Sequence, residues 1–362
     1  LAVSLDDVLT DVVQREGSDL HVKTGKPFVM RIHGNLIITD YPAMDQKETQ
    51  DFLYSILNEE RRKHLEEFKE LDLSYEVRGV ARFRVNMFWQ RGKPGGAFRV
   101  IPRQVRTIDE LLMPQITKKL ALLPRGLLLV TGPTGCGKST TLAAMIDHIN
   151  TETRSHVITI EDPIEYWHDD KRSIINQREA HVDTHSFAHA LRHVMRQNPD
   201  VILVGEMRDL ETITLAITAA ETGHLVFSTL HTVDAAQTID RLVDVFDPDQ
   251  QEQIRTQLST TLQSVISQAL LPRCDIEGRV AAFEVMVVTQ AIRALIREGK
   301  TPQLYQDIQT GGEFGMQTLD GALLGLVQKG MITYEMALSK SSFPHEFSKR
   351  AGTLGLLPEA QH

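Results

Sequence analysis

The sequence predicts an α/β core, preceded by a small α+β domain and followed by a helical subdomain. Three observations predict it. A short apolar run at 126–130 leads straight into a glycine-rich loop and then a helical pattern. From there to about residue 290, apolar strand-like runs alternate with longer helical segments, as in α/β folds. Ahead of that core, residues 1–101 hold short strands and turns, and after it the readable segments are helical. The expected divisions are therefore 1–101, a connection at 102–123, the core at 124–290 and the helical subdomain at 291–362.

In chain order, Leu5, Val8, Leu9, Val12 and Val13 mark a first helical face. Ser18 to Val22 is extended, Lys26-Pro27 interrupts it, and 28–32 resumes. His33-Gly34-Asn35 is a turn, with 36–38 as the returning strand. One helix is expected over 45–58, with Phe52, Leu53, Ile56 and Leu57 on one side. Strands follow at 71–75 and at 82–87, where Arg82, Phe83, Arg84 and Val85 alternate; 92–96 reads as a turn before a strand at 97–101. The connection carries Pro102 and Pro114, runs up to Pro124, and holds a short helix at 108–112. Core strands are expected at 126–130, 156–160, 201–204, 225–228 and 281–287, and later helices at 291–297 and 319–327. No internal repeat is visible.

Composition narrows the function classes. The chain has 362 residues, 41% of them apolar, an ordinary folded composition. No apolar run approaches the length needed to cross a bilayer. The first dozen residues hold Asp6, Asp7 and Asp11 and no basic region, so they do not read as a secretory signal, and a cytoplasmic protein is the simple expectation. Two cysteines, Cys136 and Cys274, exclude a zinc cluster built from cysteine and make a disulfide framework implausible. A formal net charge of −9 argues against broad nucleic-acid affinity, while leaving open a basic channel in an acidic assembly.

The chemistry starts at Gly132-Pro133-Thr134-Gly135-Cys136-Gly137-Lys138-Ser139, which fits the phosphate-loop pattern in full. Glycines let successive backbone N–H groups turn toward phosphates with no side chain in the way. The following helix, 140–149, adds positive potential at its N-terminus and turns Leu142, Met145, Ile146 and Ile149 inward. Lys138 can reach β- and γ-phosphates, Ser139 can hold Mg²⁺, and Thr140 continues the nucleotide-binding set. Cys136 sits where the backbone does the binding, so it is not expected to be a nucleophile. The loop by itself specifies a nucleoside triphosphate and leaves GTPase, kinase and motor open.

Two further strands end in acid. The run 201–204 leads through Gly205 to Glu206, placed as a general base or water-orienting group, with a plain strand-end carboxylate as the alternative. The run 157–160 ends in Glu161-Asp162-Pro163-Ile164-Glu165; carboxylates this close repel unless a cation or solvent screens them, so one of them is a candidate for the Mg²⁺ shell, with a solvated turn as the alternative and Glu165 also the second choice as base. His224 and His231 flank the next strand. With no third ligand nearby, a γ-phosphate sensor or inter-subunit coupling fits better than a metal pair; ordinary polar histidines are the alternative.

Taken in order, these residues resemble the secretion-type ATPases, and most closely those of type IV pilus retraction, over nearly the whole chain. Gly132 to Ser139 matches the family's Walker A motif, Glu161 to Glu165 its aspartate box, Gly205-Glu206 its atypical Walker B, and His224 to His231 its histidine box. Ala291-Ile292-Arg293-Ala294-Leu295-Ile296-Arg297-Glu298 matches a C-terminal motif of retraction motors, and Ser18-Asp19-Leu20-His21 the start of the N-terminal domain. The resemblance implies a RecA-like P-loop NTPase core with an N-terminal PAS-like domain, a homohexamer, and ATP with Mg²⁺ bound between the two domains. It implies arginines from the N-terminal domain at the phosphates; the matching stretches, 81–86 and 97–103, make Arg82, Arg84 and Arg99 the candidates, Arg99 favoured as catalytic, with a solvated strand face as the alternative. The implied partner is an inner-membrane pilus platform protein, reached at the cytoplasmic face through a surface contact, with no covalent or transmembrane anchor and no nucleic acid.

The longer N-terminal region and four-cysteine zinc motif usual in assembly and type II secretion ATPases do not appear, which favours retraction; Cys136 stands where serine is common. An accessory retraction ATPase is the near alternative, and an ATP-binding regulatory switch or a DNA translocase the distant ones.

Overall fold

In the computed structural model, residues 3–101 and 105–357 are described. Pro102 and Arg103, counted above in the connection and in the arginine-bearing stretch, lie outside the described residues. The chain divides into two compact units, Leu1–Gln104 with Glu165–Trp167, and Val105–Ile164 with His168–His362.

The first unit opens with α1 (Leu5–Gln14), whose N-cap Ser4 accepts from the amide of Asp7 and whose Leu5, Val8, Leu9 and Val12 form the buried stripe. Then come β1 (Gly17–Lys23), β2 (Val29–Ile32), β3 (Asn35–Ile38), α2 (Gln46–Tyr54), α3 (Glu59–Phe68), β4 (Glu70–Val77), β5 (Ala81–Gln90) and β6 (Lys93–Ile101). The helix expected over 45–58 ends at Tyr54, and a second, unexpected helix follows it, because the Asn58 side chain accepts from the amide of Arg61 and starts α3 afresh. The turn expected at 92–96 is shorter. Arg91 and Gly92 both have positive φ, 50° and 71°, and join Gln90 directly to Lys93. Gly95 and Gly96 therefore belong to β6, where a Cβ on Gly96 would come within 2.9 Å of Leu53 Cδ2 on α2.

Among the described residues this sheet has six strands, in the order β3-β2-β1-β6-β5-β4, each neighbouring pair antiparallel. Leu20, Met30, Phe83, Val85, Met87 and Phe98 fill one face and are buried with the helical stripe. Alternation puts Asp19, Arg31, Arg84 and Arg99 on the other face.

The second unit begins with residues 105–123. Expected as a connection, they pack into the unit's core through Ile108, Met113, Leu120 and Ala121, with α4 (Ile116–Ala121) against α5. The elements that follow are β7 (Gly126–Thr131), α5 (Lys138–Glu152), β8 (His156–Glu161), β9 (Ile174–Glu179), α6 (Phe187–Val194), β10 (Val201–Val204), α7 (Leu210–Glu221), β11 (Leu225–Leu230), α8 (Ala235–Asp244), α9 (Gln251–Thr261), β12 (Leu262–Pro272) and β13 (Arg279–Val287). The chain closes with α10 (Gln290–Arg297), α11 (Leu304–Thr310), α12 (Leu319–Gln328), α13 (Tyr334–Leu338) and α14 (Pro344–Thr353).

Among the described residues the second sheet has seven strands, in the order β13-β12-β7-β11-β10-β8-β9, all parallel except β13. β7, β10 and β11 are buried throughout, because helices cover both faces. Leu127, Ile158, Ile202 and Val226 pack on one side, and Leu128, Val130, Leu203 and Phe227 on the other. Each such fully buried side chain contributes about 1.5–3 kcal/mol. Ile292 and Ile296 of α10 join the first of these cores, while Leu323, Phe347 and Ala351 close a separate one over Leu271 and Val280.

Glu284 of β13 lies inside this packing at 3% exposure, its Oε1 accepting the amide of Ala235 at 3.1 Å. Burial pushes its carboxyl up from 4.5 to about 7; the Ala235 amide opposes that, and nearby Asp234 adds to it. Between these two values the folded chain keeps a proton that the unfolded chain has lost, so stability falls as pH rises from 4.5 to about 7 and levels above it. Glu284→Gln should flatten that part of the pH–stability curve. Thermal melts of both proteins across the window check this, and an unchanged slope in the variant removes Glu284 as its source.

Candidate active site

The site is built at the carboxyl ends of the parallel strands, where open α/β sheets place their ligands. β7 delivers its chain end into the loop 132–137, and α5 starts at once with Lys138. Gly132, Gly135 and Gly137 take φ of 140°, 78° and 93°, conformations open to glycine and costly for other residues. At Gly132 space is short as well: a Cβ would lie 2.5 Å from the carbonyl oxygen of Gln268 and 2.7 Å from Cys136 Sγ. The amides of the first turn of α5 have no partners within the helix, so they and its dipole are available to an anion. Lys138 arches over the loop, its Nζ donating to the carbonyls of Gly132 at 2.8 Å and Pro133 at 3.2 Å. Cys136 is buried, and burial pushes its thiol up despite the opposing charge of Lys138, so it stays protonated and inert, as its position suggested.

One residue that fixes this loop escaped the sequence reading. Gln268 sits on β12, which pairs in parallel with β7 through Ser267 and Thr131, whose hydroxyls are 2.8 Å apart. Its Nε2 donates to the carbonyl of Cys136 at 2.6 Å, and its Oε1 accepts from the hydroxyl of Thr141 at 2.8 Å. Buried to 3% exposure, it ties the middle of the loop to the first turn of α5. The signal was an amide in an apolar run, and it was unreadable while 262–272 was not recognised as a strand.

The acidic edge lies along the next strands. Gly205 follows β10 and donates its amide to the carbonyl of Ile160 at 2.8 Å, while its own carbonyl accepts from the Thr229 hydroxyl at 2.6 Å. Glu206, so positioned, carries Arg208 Nε at 2.7 Å and His231 Nε2 at 3.8 Å on the same oxygen, Oε2. Arg208 was not among the expected residues. Its guanidinium orients the Glu206 carboxylate and remains largely exposed beside it.

Of the aspartate-box acids, the one at this edge is Glu161. It ends β8, the strand that pairs with β10, and accepts from Thr159 Oγ1 at 2.6 Å and Gln177 Nε2 at 3.1 Å. Glu165 groups with the first unit. His224 also separates from the site. It precedes β11 while His231 follows it, and seven residues of strand span roughly 20 Å. Its Nδ1 engages the carbonyl of Ala219 at 2.9 Å near the end of α7.

In the first unit, Arg99 pairs across strands with Arg84 and Asp19, and Asp19 with Arg31. Arg99 Nε donates to Asp19 Oδ1 at 2.8 Å, and Arg31 Nε lies 3.7 Å from the other oxygen. Burial raises the Asp19 carboxyl, but hydrogen bonds from Arg99 and Ser18 outweigh it and leave the pKa lowered. Three guanidiniums against one carboxylate leave this row with a surplus of positive charge. Arg82 lies over the ring of Trp167, 5.3 Å from its centroid.

As chemistry, the second unit can cradle a polyphosphate with backbone amides and an ammonium and set a carboxylate beside it. Mg²⁺ fits the donor set: the Ser139 hydroxyl with the carboxylates of Glu206 and Glu161 are hard oxygen ligands, and this ion keeps several waters rather than demanding a protein cage. Accordingly, among the described residues no group of three or more His, Cys, Asp or Glu side chains forms a metal cluster.

A family model described as "Type II/IV secretion system protein" matches residues 1–335. The "Type IV pilus retractation ATPase PilT" of Pseudomonas aeruginosa is 52% identical over 345 residues, which is 95% of this chain and 100% of that one. A "Twitching motility protein" of Neisseria gonorrhoeae is 50% identical over 91% of this chain and 87% of its own length. Among solved structures, one described as "Crystal Structure of the Pilus Retraction Motor PilT and Bound ADP" superposes with a TM-score of 0.90 at 46% identity, covering 96% of this chain and 99% of that one. The α/β architecture read from the sequence is therefore shared with a solved relative over nearly its whole length.

Gln268→Ala removes both partners from the Cys136 carbonyl and the Thr141 hydroxyl. Leaving a buried polar group unsatisfied costs about 1–3 kcal/mol, so affinity for a nucleoside triphosphate should fall about ten-fold while the chain stays folded. Equilibrium titration with a fluorescent triphosphate analogue measures this; unchanged affinity would show that the loop holds its shape without Gln268.

Proposed function

The chain belongs to the type II/IV secretion system protein family, and from that premise we propose that it is an ATP-hydrolysing motor that powers type IV pilus retraction. The carrying observation is a complete phosphate loop at the carboxyl edge of the sheet, with Glu206 held on a neighbouring strand end. The relatives of matching length and fold bear retraction names.

Lys138 and the loop amides bind the β- and γ-phosphates of ATP, and the glycines let the backbone approach them. Ser139, with Glu206 and Glu161, would hold Mg²⁺, which supplies charge neutralisation at the phosphate oxygens. Glu206 accepts the proton of the attacking water or orients it, with Arg208 fixing the carboxylate and His231 adjacent to sense the change in charge. The protein works as a ring of six copies in the cytoplasm, against an inner-membrane platform protein that it meets through surface contact. Among the described residues no helix is long and apolar enough to cross a membrane.

Arg99 acts in this proposal on a phosphate site elsewhere in the ring. Its fixed charge and rigid donor fork suit a phosphate oxygen, and the row it shares with Arg84 and Arg31 carries more positive charge than Asp19 cancels. Arg99 is largely exposed while its partner Asp19 is buried, and Ser18 and Arg31 remain beside that carboxylate when Arg99 turns to a phosphate.

Two measurements address the chemistry. Lys138→Ala should abolish hydrolysis, and Glu206→Gln should bind Mg-ATP normally yet turn over at least about ten-fold more slowly, since a positioned base contributes about 10²–10⁴. Steady-state hydrolysis and nucleotide titration on the same preparations check both, and near-normal turnover by E206Q would pass the role to Glu161.

The assembly is tested by light scattering, where a six-copy species is expected, and by mixing. R99A and K138A subunits, each inactive alone, should regain partial hydrolysis together if Arg99 serves another copy's site. Mixed rings that form but stay inactive would confine Arg99 to its own chain, and an R99A protein with a normal rate would remove it from the mechanism.

A further inference from the structure

We propose that His189 and His193, on the exposed face of α6, form a binding site for a late first-row divalent metal ion such as Zn²⁺, apart from the phosphate site. The two residues are four apart on one helix, which stacks side chains one turn above another, with Cβ atoms about 5–6 Å apart. Their rings already meet, with centroids 4.7 Å apart. His185 extends the same column, its ring centroid 5.1 Å from that of His189. All three are exposed, and the mechanism above uses none of them.

The helix beneath them is held firmly. Ala188, Ala190, Leu191 and Val194 are buried on its inner side, and Ser186 caps its start by accepting the amide of His189 at 3.1 Å. Arg192 pairs with Glu211 on α7 and anchors its far end. The spacing of the imidazoles is thus set by the fold before any ion arrives, and little ordering entropy opposes chelation.

Late first-row ions prefer imidazole nitrogen, and Zn–N distances of about 2.0–2.1 Å let two rings one helical turn apart share one ion. A ligand must offer a free lone pair. Among the described residues no three ligand side chains already converge on a point. The site is therefore a two-imidazole one completed by water.

The test is calorimetric titration of Zn²⁺ into the chelator-treated full chain, alongside H189Q, H193Q and H185Q. These surface changes leave the buried side of α6 intact, which circular dichroism verifies. Wild type should bind Zn²⁺ with a component that weakens at least about ten-fold in both H189Q and H193Q, since even indirect partners of a metal contribute 10–100-fold. H185Q should lose less. The electron paramagnetic resonance spectrum of a Cu²⁺-loaded sample should show ligation by two imidazole nitrogens in wild type and by fewer in H189Q. Absence of Zn²⁺ binding by wild type, or binding that H189Q and H193Q leave unaltered, overturns the proposal.

Discussion

The structure turns on the close approach of two backbones, the loop at Gly132 and the strand β12 at Gln268. Nothing larger than hydrogen fits on Gly132, because the Gln268 carbonyl and the Cys136 sulfur already occupy the space. The same glutamine then reaches forward and grips Cys136 and Thr141. A loop of glycines is otherwise the most entropically costly piece of chain to order. Here it is pinned from below by β12, from one end by the fully buried β7, and from the other by α5. Its amides therefore face outward already arranged for an anion, and a ligand need not supply that ordering.

Parallel pairing does the rest of the positioning. When neighbouring strands run the same way, their carboxyl ends fall on one edge, so residues distant in sequence arrive side by side. Glu161 ends β8, Glu206 comes just after β10, His231 follows β11, and the phosphate loop follows β7. The same geometry that gathers these four excludes His224, which comes at the beginning of its strand. Two histidines that look symmetrical in the sequence thus have unlike surroundings, one beside Glu206 and the other beside the end of α7.

The first unit follows the other β rule, alternation across antiparallel strands. Leu20, Phe98 and Val85 share one row of registered neighbours facing the helices, and the adjacent row holds Asp19, Arg99 and Arg84. A core and a cationic face are consequences of the same period of two. Shifting one strand by a single residue would exchange them, so the hydrophobic face also fixes where the arginines stand.

Much of this was legible in the sequence where a signal is local. The strand–loop–helix at 126–149 needed only eight consecutive residues and their flanks, and Glu206 was marked by the apolar run before it. The helix of Leu5, Val8, Leu9 and Val12 and the alternation at Arg82 to Val85 were readable for the same reason, since periodicity records which side of an element faces a core. Illegible were β9 and β12, whose polar residues Asn176, Gln177, Ser264, Ser267 and Gln268 are paired with partners elsewhere in the fold. On β12 the polar groups are buried and satisfied, and on β9 they lie at a half-exposed sheet edge, so neither strand shows a plain hydrophobic pattern. For the same reason the sequence could propose a set of acids and histidines but could not rank them. The place of Glu161 at the end of β8, of His231 beside Glu206, and of Arg208 and Gln268 depends on strand order and direction, which no window of neighbouring residues contains. By itself the sequence determined that phosphate would be bound and by which loop. Only tertiary structure decided which side chains surround it, because those contacts join residues that the chain keeps far apart.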